Sequence, residues 1–301
     1  MITAIRNAWI VTQDASRRII RGDVVIDGER IVSVGPEYNG TADREIDATG
    51  DIVMPGMVNT HTHVAMSVMK GVVDDLTFPD FLDKVFKIDS DRTDEDLDVG
   101  TKLGCMEMML SGTTTFMDLY YSEDVIAKAT QQAGIRGVLC WCVLDQECTT
   151  QVGNPLQNCK NFYSRFKDER KIVPGVGLQG VYVCNEETCV GAKEFSDEVG
   201  APMNFHLSET RGEVNDHKCA IYGAHHRLGV VDHHIEGDRQ GGFIAVHHIG
   251  GRVAHQDHIN TGGIDDLGHR IVVGGEHGNL LTRLFHLRQG GRGHRAYFTF
   301  N

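Results

Sequence analysis

The sequence is short of positive charge. Its 301 residues contain 29 Lys and Arg against 42 Asp and Glu, which gives a formal net charge of −13. No block of basic residues offsets this surplus, so neither nucleic acid nor an acidic membrane surface is an expected partner. A small or neutral substrate is the better expectation.

Long apolar runs and a secretion signal are also missing. No uncharged apolar stretch approaches the ~20 residues of a transmembrane helix, and residues 1–8 contain no basic segment leading into an apolar one. These absences predict a soluble, cytoplasmic protein. The eight cysteines form no Cys-x-x-Cys pair, and Cys140 and Cys142 lie within an apolar run. We therefore expect reduced, buried thiols.

The hydrophobic pattern divides the chain near residue 57. Before it, two apolar runs at 23–26 and 29–34 flank Asp27-Gly28, a pair typical of tight hairpin turns, which predicts a small β domain. After it, strand-like runs alternate with amphipathic helical stretches, the pattern of βαβ units in a parallel sheet. The predicted strands cover residues 57–60, 113–118, 136–144, 172–177 and 203–206.

Two helices are predicted between these strands. The first begins at Thr93, which forms a capping-box pattern with Asp96. Apolar residues then recur at helical spacing until Gly112, namely Leu97, Leu103, Met106 and Leu110. The second helix is predicted from Ser122 to Ala133, before Gly134.

Residues 219–301 differ in composition from the rest of the chain. They contain 12 of the 16 histidines and 16 of the 35 glycines, but no Lys, Ser, Pro, Met or Trp. One interpretation is a His-rich metal-binding segment, although these histidines have no regular spacing. The other is a reading-frame error, because translation in a wrong frame changes residue usage abruptly and removes helical periodicity. The second interpretation accounts for more of these features.

The apolar run at 53–60 leads into His61-Thr62-His63. Side chains alternate along a strand, so both imidazoles project from one face and can reach a single ion. Neutral imidazole suits zinc or iron. An isolated His-x-His is more often a pair of exposed or hydrogen-bonded histidines, and it is the strand before it that favours a metal site here.

A second strand-like run, at 202–205, ends in His206, and Glu209 follows three residues later. A catalytic zinc needs about three protein ligands and a water, with a carboxylate close enough to move the proton. His206 and Glu209 are therefore predicted to be the third ligand and the proton carrier. The alternative is that Glu209 caps a helix while His206 hydrogen-bonds in the core.

Together these motifs resemble the amidohydrolase superfamily, in particular its branch of 5′-deoxyadenosine, methylthioadenosine and S-adenosylhomocysteine deaminases. The resemblance covers residues 1–218. It rests on the early β segment, on Pro55-Gly56 leading into His61-Thr62-His63, and on residues 70–76, 111–115 and 205–212. It implies a (β/α)8 TIM-type barrel with a flanking small β-sandwich and an active site at the C-terminal ends of the barrel strands.

Residue by residue, the resemblance implies that His61, His63 and His206 hold one divalent metal ion, either zinc or iron. Glu209 would contact the purine ring and protonate it during hydrolytic deamination, which releases ammonia. His247, in the segment 243–247, resembles the family's sixth-strand histidine, which orients the attacking water. The resemblance further implies a small nucleoside substrate and a homo-oligomer.

The resemblance also divides the chain into three segments. Residues 1–56 would form the N-terminal part of the sandwich, 57–218 the first five barrel strands, and 219–301 an anomalous tail. The family's eighth-strand Asp ligand has no match, since residues 274–277 lie too early and differ from the motif. Barrel strands seven and eight are therefore expected to be missing or scrambled, leaving the barrel incomplete at its C-terminus.

Two departures from the family concern the substrate. Gln179 stands where these deaminases usually have a substrate-binding His, and Asp89 lies near the position of a ribose-binding Glu. Two alternatives to an adenine nucleoside deaminase stay open. One is an aminohydrolase or chlorohydrolase of triazines or guanine on the same scaffold, which strand-end ligands alone do not distinguish. The other is a catalytically silent, truncated or frameshifted product.

Overall fold

The computed structural model describes residues 1–206 and the backbone of two short strands at 271–273 and 296–299. The chain forms two compact units. The first contains Met1–Val58, Cys105–Thr115 and the two short strands, and the second contains Asn59–Gly104 and, among the described residues, 116–206. The predicted segments 1–56, 57–218 and 219–301 stay a prediction, and the tail lies almost wholly outside the described residues.

A seven-stranded sheet forms the first unit. Its strands are β1 Ile2–Val11, β2 Ile19–Asp27, β3 Arg30–Gly35, β4 Arg44–Asp47, β5 Ile52–Pro55, and the two C-terminal strands, β11 Ile271–Val273 and β12 Ala296–Thr299. The order is β11-β12-β5-β1-β2-β3, and β4 also pairs with β1. β1 pairs antiparallel with β2 and parallel with β4 and β5. The described residues give this unit a single sheet, so the two-layer sandwich stays a prediction.

One face of this sheet carries an apolar cluster that includes Ile5, Ile10, Val24 and Val53. The expected hairpin joins β2 to β3, but its turn begins one residue later than predicted. Asp27 pairs with Arg30, which leaves Gly28 and the next residue in the turn. Gly28 has a φ of +58°, a left-handed conformation that glycine adopts at little cost, and this places it first in the turn.

The second unit is built on a curled five-stranded parallel sheet, a half-barrel. Its strands are β6 Met57–Thr62, β7 Thr113–Tyr120, β8 Arg136–Val143, β9 Ile172–Leu178 and β10 Met203–Phe205. Their order is β10-β9-β8-β7-β6, so strands adjacent in the sequence are neighbours in the sheet. All five strands lie where the sequence predicts them, with ends shifted by a few residues.

Helices alternate with these strands. They are α1 Phe78–Asp91, α2 Asp94–Ser111, α3 Glu123–Ala133, α4 Pro155–Phe166 and α5 Glu186–Val199. The two helices predicted from the sequence, α2 and α3, are confirmed. Behind β8 and β9, buried residues of α4 and α5, among them Cys159 and Phe195, complete the core of the half-barrel.

The helix α2 approaches the chain that follows His63 closely. A Cβ atom added at Gly100 would lie 2.1 Å from the carbonyl oxygen of Ala65, so glycine lets the two segments pack directly together. Among the apolar residues at helical spacing, Leu97 is buried and Met106 is 48% exposed.

The C-terminal ends of parallel strands lie along one edge of a sheet. In the half-barrel this edge carries the residues that follow β6, β9 and β10, namely His63, Gln179 and His206. Among the described cysteines, six are buried thiols outside any disulfide, as expected, whereas Cys148 is exposed. Among the described helices, none combines the length and the apolar character needed to cross a membrane.

Candidate metal centre

Three histidines meet at the strand ends of the half-barrel. The ring centroids of His61, His63 and His206 are 5.0 Å apart in each pair. One nitrogen atom from each ring lies within 4.8 Å of the other two. His61 and His206 are 145 positions apart in the sequence, yet their rings lie next to each other.

Strand alternation explains why His61 and His63 point to the same place. His61 lies in β6 and His63 follows the strand, so their side chains project to one face, while Thr62 between them projects to the other. There the Thr62 hydroxyl donates to the carboxylate of Asp118 and contacts the carbonyl of Met117. The intervening threonine therefore ties β6 to β7 from the side opposite the imidazoles.

Main-chain carbonyls fix the orientation of two rings. Nδ1 of His63 lies 2.6 Å from the carbonyl oxygen of Leu119, and Nδ1 of His206 lies 2.8 Å from that of Gln179. A carbonyl only accepts, so each Nδ1 must donate its proton. In the neutral ring this leaves Nε2 with a lone pair directed at the other histidines.

Burial keeps these two imidazoles neutral. It is the main reason that the pKa of His63 falls to about 3, with repulsion from His206 and His61 acting in the same direction. The pKa of His206 falls to about 4, again mainly through burial and then through His61. Protons therefore compete weakly for these nitrogens near neutral pH, which is the condition that metal binding needs.

The donor set also has the spacing of a zinc site. Nε2 of His61 and Nε2 of His206 are 3.3 Å apart. Two nitrogen ligands, each about 2.0–2.1 Å from a tetrahedral zinc ion, lie roughly 3.4 Å from each other. The three imidazoles thus fit a divalent metal in donor type and separation, and His63 and His206 also fit it in protonation.

Two buried carboxyl groups lie near the end of β7. Asp118 lies within β7 and Glu123 begins α3, and both are 0% exposed. Burial raises the pKa of Asp118 to about 7, against hydrogen bonds from Thr62 and from the backbone N–H of Val64. Burial and the nearby Asp118 raise the pKa of Glu123 well above its usual range.

An aromatic and ionic cluster adjoins His63. The ring of Tyr120 is 6.1 Å from that of His63, and its hydroxyl donates to the carboxylate of Asp89. Arg92 forms a 2.5 Å ion pair with Asp89 and stacks over Tyr120 at 4.8 Å. Burial nevertheless raises the pKa of Asp89 to about 6. Asp89 is thus held by two neighbours of its own chain, Tyr120 and Arg92.

The structure brings together three of the five residues that the sequence singles out, namely His61, His63 and His206. Glu209 and His247 lie outside the described residues, and their roles stay predictions. The sequence interpretation missed Asp118 and the carbonyls of Leu119 and Gln179. Asp118 had a usable signal, because it is a charged residue at the end of an apolar strand. Carbonyl partners have no signal in the sequence, since every residue carries one.

Comparison with known proteins places this fold and site in a family context. A model described as the amidohydrolase family matches residues 52–261. The 5′-deoxyadenosine deaminase of Methanothrix thermoacetophila is 35% identical over 212 residues, which cover 70% of this chain and 50% of that protein. The 5-methylthioadenosine/S-adenosylhomocysteine deaminase of Symbiobacterium thermophilum is 35% identical over 201 residues, covering 65% of this chain and 46% of that one. The chain thus spans about half the length of the curated relatives it matches.

Among solved structures, an adenosine deaminase from Xanthomonas campestris with bound zinc superposes with a TM-score of 0.71. It is 23% identical, and the match covers 76% of this chain and 55% of that one. At this identity the likeness shows the fold alone. The half-barrel is therefore part of a TIM-barrel-like fold.

Proposed function

Because this chain belongs to the amidohydrolase family, we propose that it derives from a hydrolytic deaminase of adenine nucleosides that uses one divalent metal ion. His61, His63 and His206 hold the ion, with zinc the first choice and iron the second. The observation that carries the proposal is the 3.3 Å separation of two Nε2 atoms, each on a strand-end histidine. Two rings of the trio are also locked to carbonyl oxygens through Nδ1.

The metal, when bound, supplies a lowered pKa for water and Lewis-acid polarisation. The chain's own residues supply the site. Leu119 and Gln179 orient the rings of His63 and His206, and burial keeps both rings unprotonated so that their Nε2 lone pairs remain available. In this proposal Glu209 moves a proton to the purine ring as ammonia leaves, and His247 orients the attacking water. Glu209 and His247 come from the sequence motifs alone.

The substrate class in this proposal is a small adenine nucleoside: 5′-deoxyadenosine, methylthioadenosine or S-adenosylhomocysteine. It is supported by the two relatives at 35% identity, whose names specify these compounds. The intact protein would be a homo-oligomer with a complete (β/α)8 barrel, a small β-sandwich flanking it, and neither nucleic acid nor membrane as a partner. Cytoplasmic location belongs to the same proposal.

Zinc content tests the metal site directly. The purified 301-residue chain, stripped with a chelator and reloaded, should bind about one zinc ion per chain in a competition with a chromophoric chelator. A His206→Asn variant should bind none, whereas Arg21→Ala, in the first unit, should bind zinc as the parent does. A parent chain that takes up no zinc contradicts the proposed site.

Deamination is tested separately by the loss of adenine absorbance with each of the three nucleosides. Because residues 219–301 offer no match for the family's Asp ligand, we expect little or no turnover from the chain as written. A version whose DNA is read in the correct frame after Lys218 should turn over at least one of the three. Failure of every frame to restore activity contradicts the deaminase proposal, and full turnover by the chain as written contradicts the frame-error interpretation.

A further inference from the structure

Three consecutive residues at the end of β7 hold the turn that carries His63. The carbonyl of Met117 contacts the Thr62 hydroxyl at 3.0 Å, and the carbonyl of Leu119 accepts from the His63 ring at 2.6 Å. Between them, the carboxylate of Asp118 accepts from the Thr62 hydroxyl and, at 2.6 Å, from the backbone N–H of Val64. The Asp118 side chain therefore hydrogen-bonds to the residues on both sides of His63.

This turn needs support, because the chain changes direction at His63. His63 has φ −123° and ψ 72°, outside the regular helix and strand regions, and a 3₁₀ helix, Val64–Met69, follows at once. The N–H of Val64 belongs to the first residue of that helix, and short helices begin with N–H groups that have no partner inside the helix. Asp118 supplies the acceptor for this N–H.

A carboxylate is a costly choice for such a buried position. Asp118 is 0% exposed, and its second oxygen, Oδ2, has no hydrogen-bond partner among the described residues. An isolated buried carboxylate is destabilising unless its interactions offset the loss of hydration. A residue chosen for fold stability alone would be apolar here or fully hydrogen-bonded, which favours a role in positioning the histidines.

We propose that Asp118 is a positioning residue of the metal site, which fixes the backbone from Thr62 to Val64 so that His63 converges with His61 and His206. The proposal rests on the proposed function, since it assigns a support to the same metal centre. Asp118 touches neither the reacting atoms nor, in the described contacts, the three rings. It acts through Thr62 and Val64.

Zinc affinity of the full 301-residue chain is the first readout. Outer groups that orient ligands typically contribute 10–100-fold to metal affinity, so Asp118→Ala should weaken zinc binding by about that factor. Asp118→Asn, which keeps an acceptor for Val64 without the charge, should recover part of the loss. The matched control is Glu123→Gln, because Glu123 is equally buried at the same strand end but bonds to the N–H of Tyr120 instead. It should leave zinc affinity within about twofold.

Thr62→Val sharpens the test, since it removes the hydroxyl that donates to Asp118 and nearly keeps the side-chain volume. Combined with Asp118→Ala, it should cost less than the product of the two single losses, because both changes break one shared contact. Equal zinc affinity in Asp118→Ala and the parent, or an equal loss in Glu123→Gln, overturns the proposal.

Crystal structures of the metal-free parent and of Asp118→Ala separate this proposal from the proposed function. We expect the parent to keep all three ring centroids 5.0 Å apart and the variant to displace His63. Displacement in the variant, together with a parent that binds no zinc, would support the positioning role while refuting the metal site. Unmoved rings in the variant would refute the positioning role, whatever the parent binds.

Discussion

The pKa values of Asp residues shift in opposite directions in the seven-stranded sheet and in the half-barrel. In the sheet, burial opposes ionisation of Asp23, but hydrogen bonds from Asn7, Tyr38 and Arg6 outweigh it, and the pKa of Asp23 lies below its usual value. In the half-barrel, burial of Asp89 and Asp118 is not outweighed, and the pKa values rise to about 6 and about 7.

The direction of the pKa shift distinguishes groups that stabilise the fold from groups typical of functional sites. A carboxylate with a lowered pKa is stabilised in its charged form by the fold, so it contributes to stability at neutral pH. Groups whose pKa is displaced toward the neutral form, such as His63 and His206, cost the fold solvation free energy and cluster at functional sites. The strand ends of the half-barrel are the part of the described chain where such groups accumulate.

The largest effect is expected from His63→Asn. Loss of a ligand should weaken zinc binding by more than the ~10–100-fold that the loss of a supporting group costs, while the fold is kept. Zinc titration with a chromophoric chelator measures the affinity, and the far-ultraviolet circular dichroism spectrum shows whether the fold is kept. Asp23→Ala is the opposite control, with unchanged zinc affinity and a weakened fold. Zinc loss in Asp23→Ala would erase the distinction between the two units.

Asp23→Ala should lower the free energy of unfolding by about 2 kcal/mol, since it removes two hydrogen bonds from backbone N–H groups and one from Arg6. Because the pKa of Asp23 is lowered in the folded state, its contribution is present above the unfolded pKa and is lost as the pH falls through the folded pKa. In urea unfolding, the difference in stability between Asp23→Ala and the parent should therefore be larger at pH 7 than at pH 3. Glu45→Ala, which removes the exposed partner of the same Arg6, should cost well under ~1 kcal/mol.

Asp89→Asn should show the reverse pH dependence. The pKa of Asp89 rises to about 6 in the folded state, so its contribution to stability is complete below the unfolded pKa of 3.8 and is lost as the pH rises through about 6. The variant lacks this loss. Relative to the parent, its free energy of unfolding should therefore increase between pH 4 and pH 7, by about 1–2 kcal/mol. A difference that stays constant with pH would show that Arg92 and Tyr120 keep Asp89 ionised.

The smallest effect is expected at the surface of the first unit. Arg21 lies 5.5 Å from the centre of the Trp9 ring, which is 45% exposed. Exposed cation–π pairs contribute about 0.5 kcal/mol, so Arg21→Ala should lower the free energy of unfolding by about that amount in urea. Arg30→Ala, at another exposed position of the same sheet, is the control. A loss above ~2 kcal/mol would mean that the sheet depends on surface electrostatics more than its buried cluster suggests.

Periodicity predicted the half-barrel because its strands are short apolar runs separated by amphipathic helices, and both patterns are local. It predicted α2 but did not reveal how closely this helix approaches the backbone at Ala65, which Gly100 allows. The turn after Asp27 moved by one residue for a related reason, since a positive φ at Gly28 decided the register. Close approach and backbone conformation are set by the partner surface as well as by the segment itself.

The sequence by itself determined which residues could serve as ligands. An apolar strand that ends in His-x-His, and a second that ends in His, place imidazoles at strand ends, because strand alternation and strand direction are properties of the local chain. The tertiary structure decided the rest. It brought His206 to within 3.3 Å of His61 and aimed two rings by bonds to Leu119 and Gln179. It also buried Asp118 against the turn at His63, where its carboxylate accepts from the N–H of Val64. These contacts join segments far apart in the sequence, and only the folded half-barrel fixes their distances.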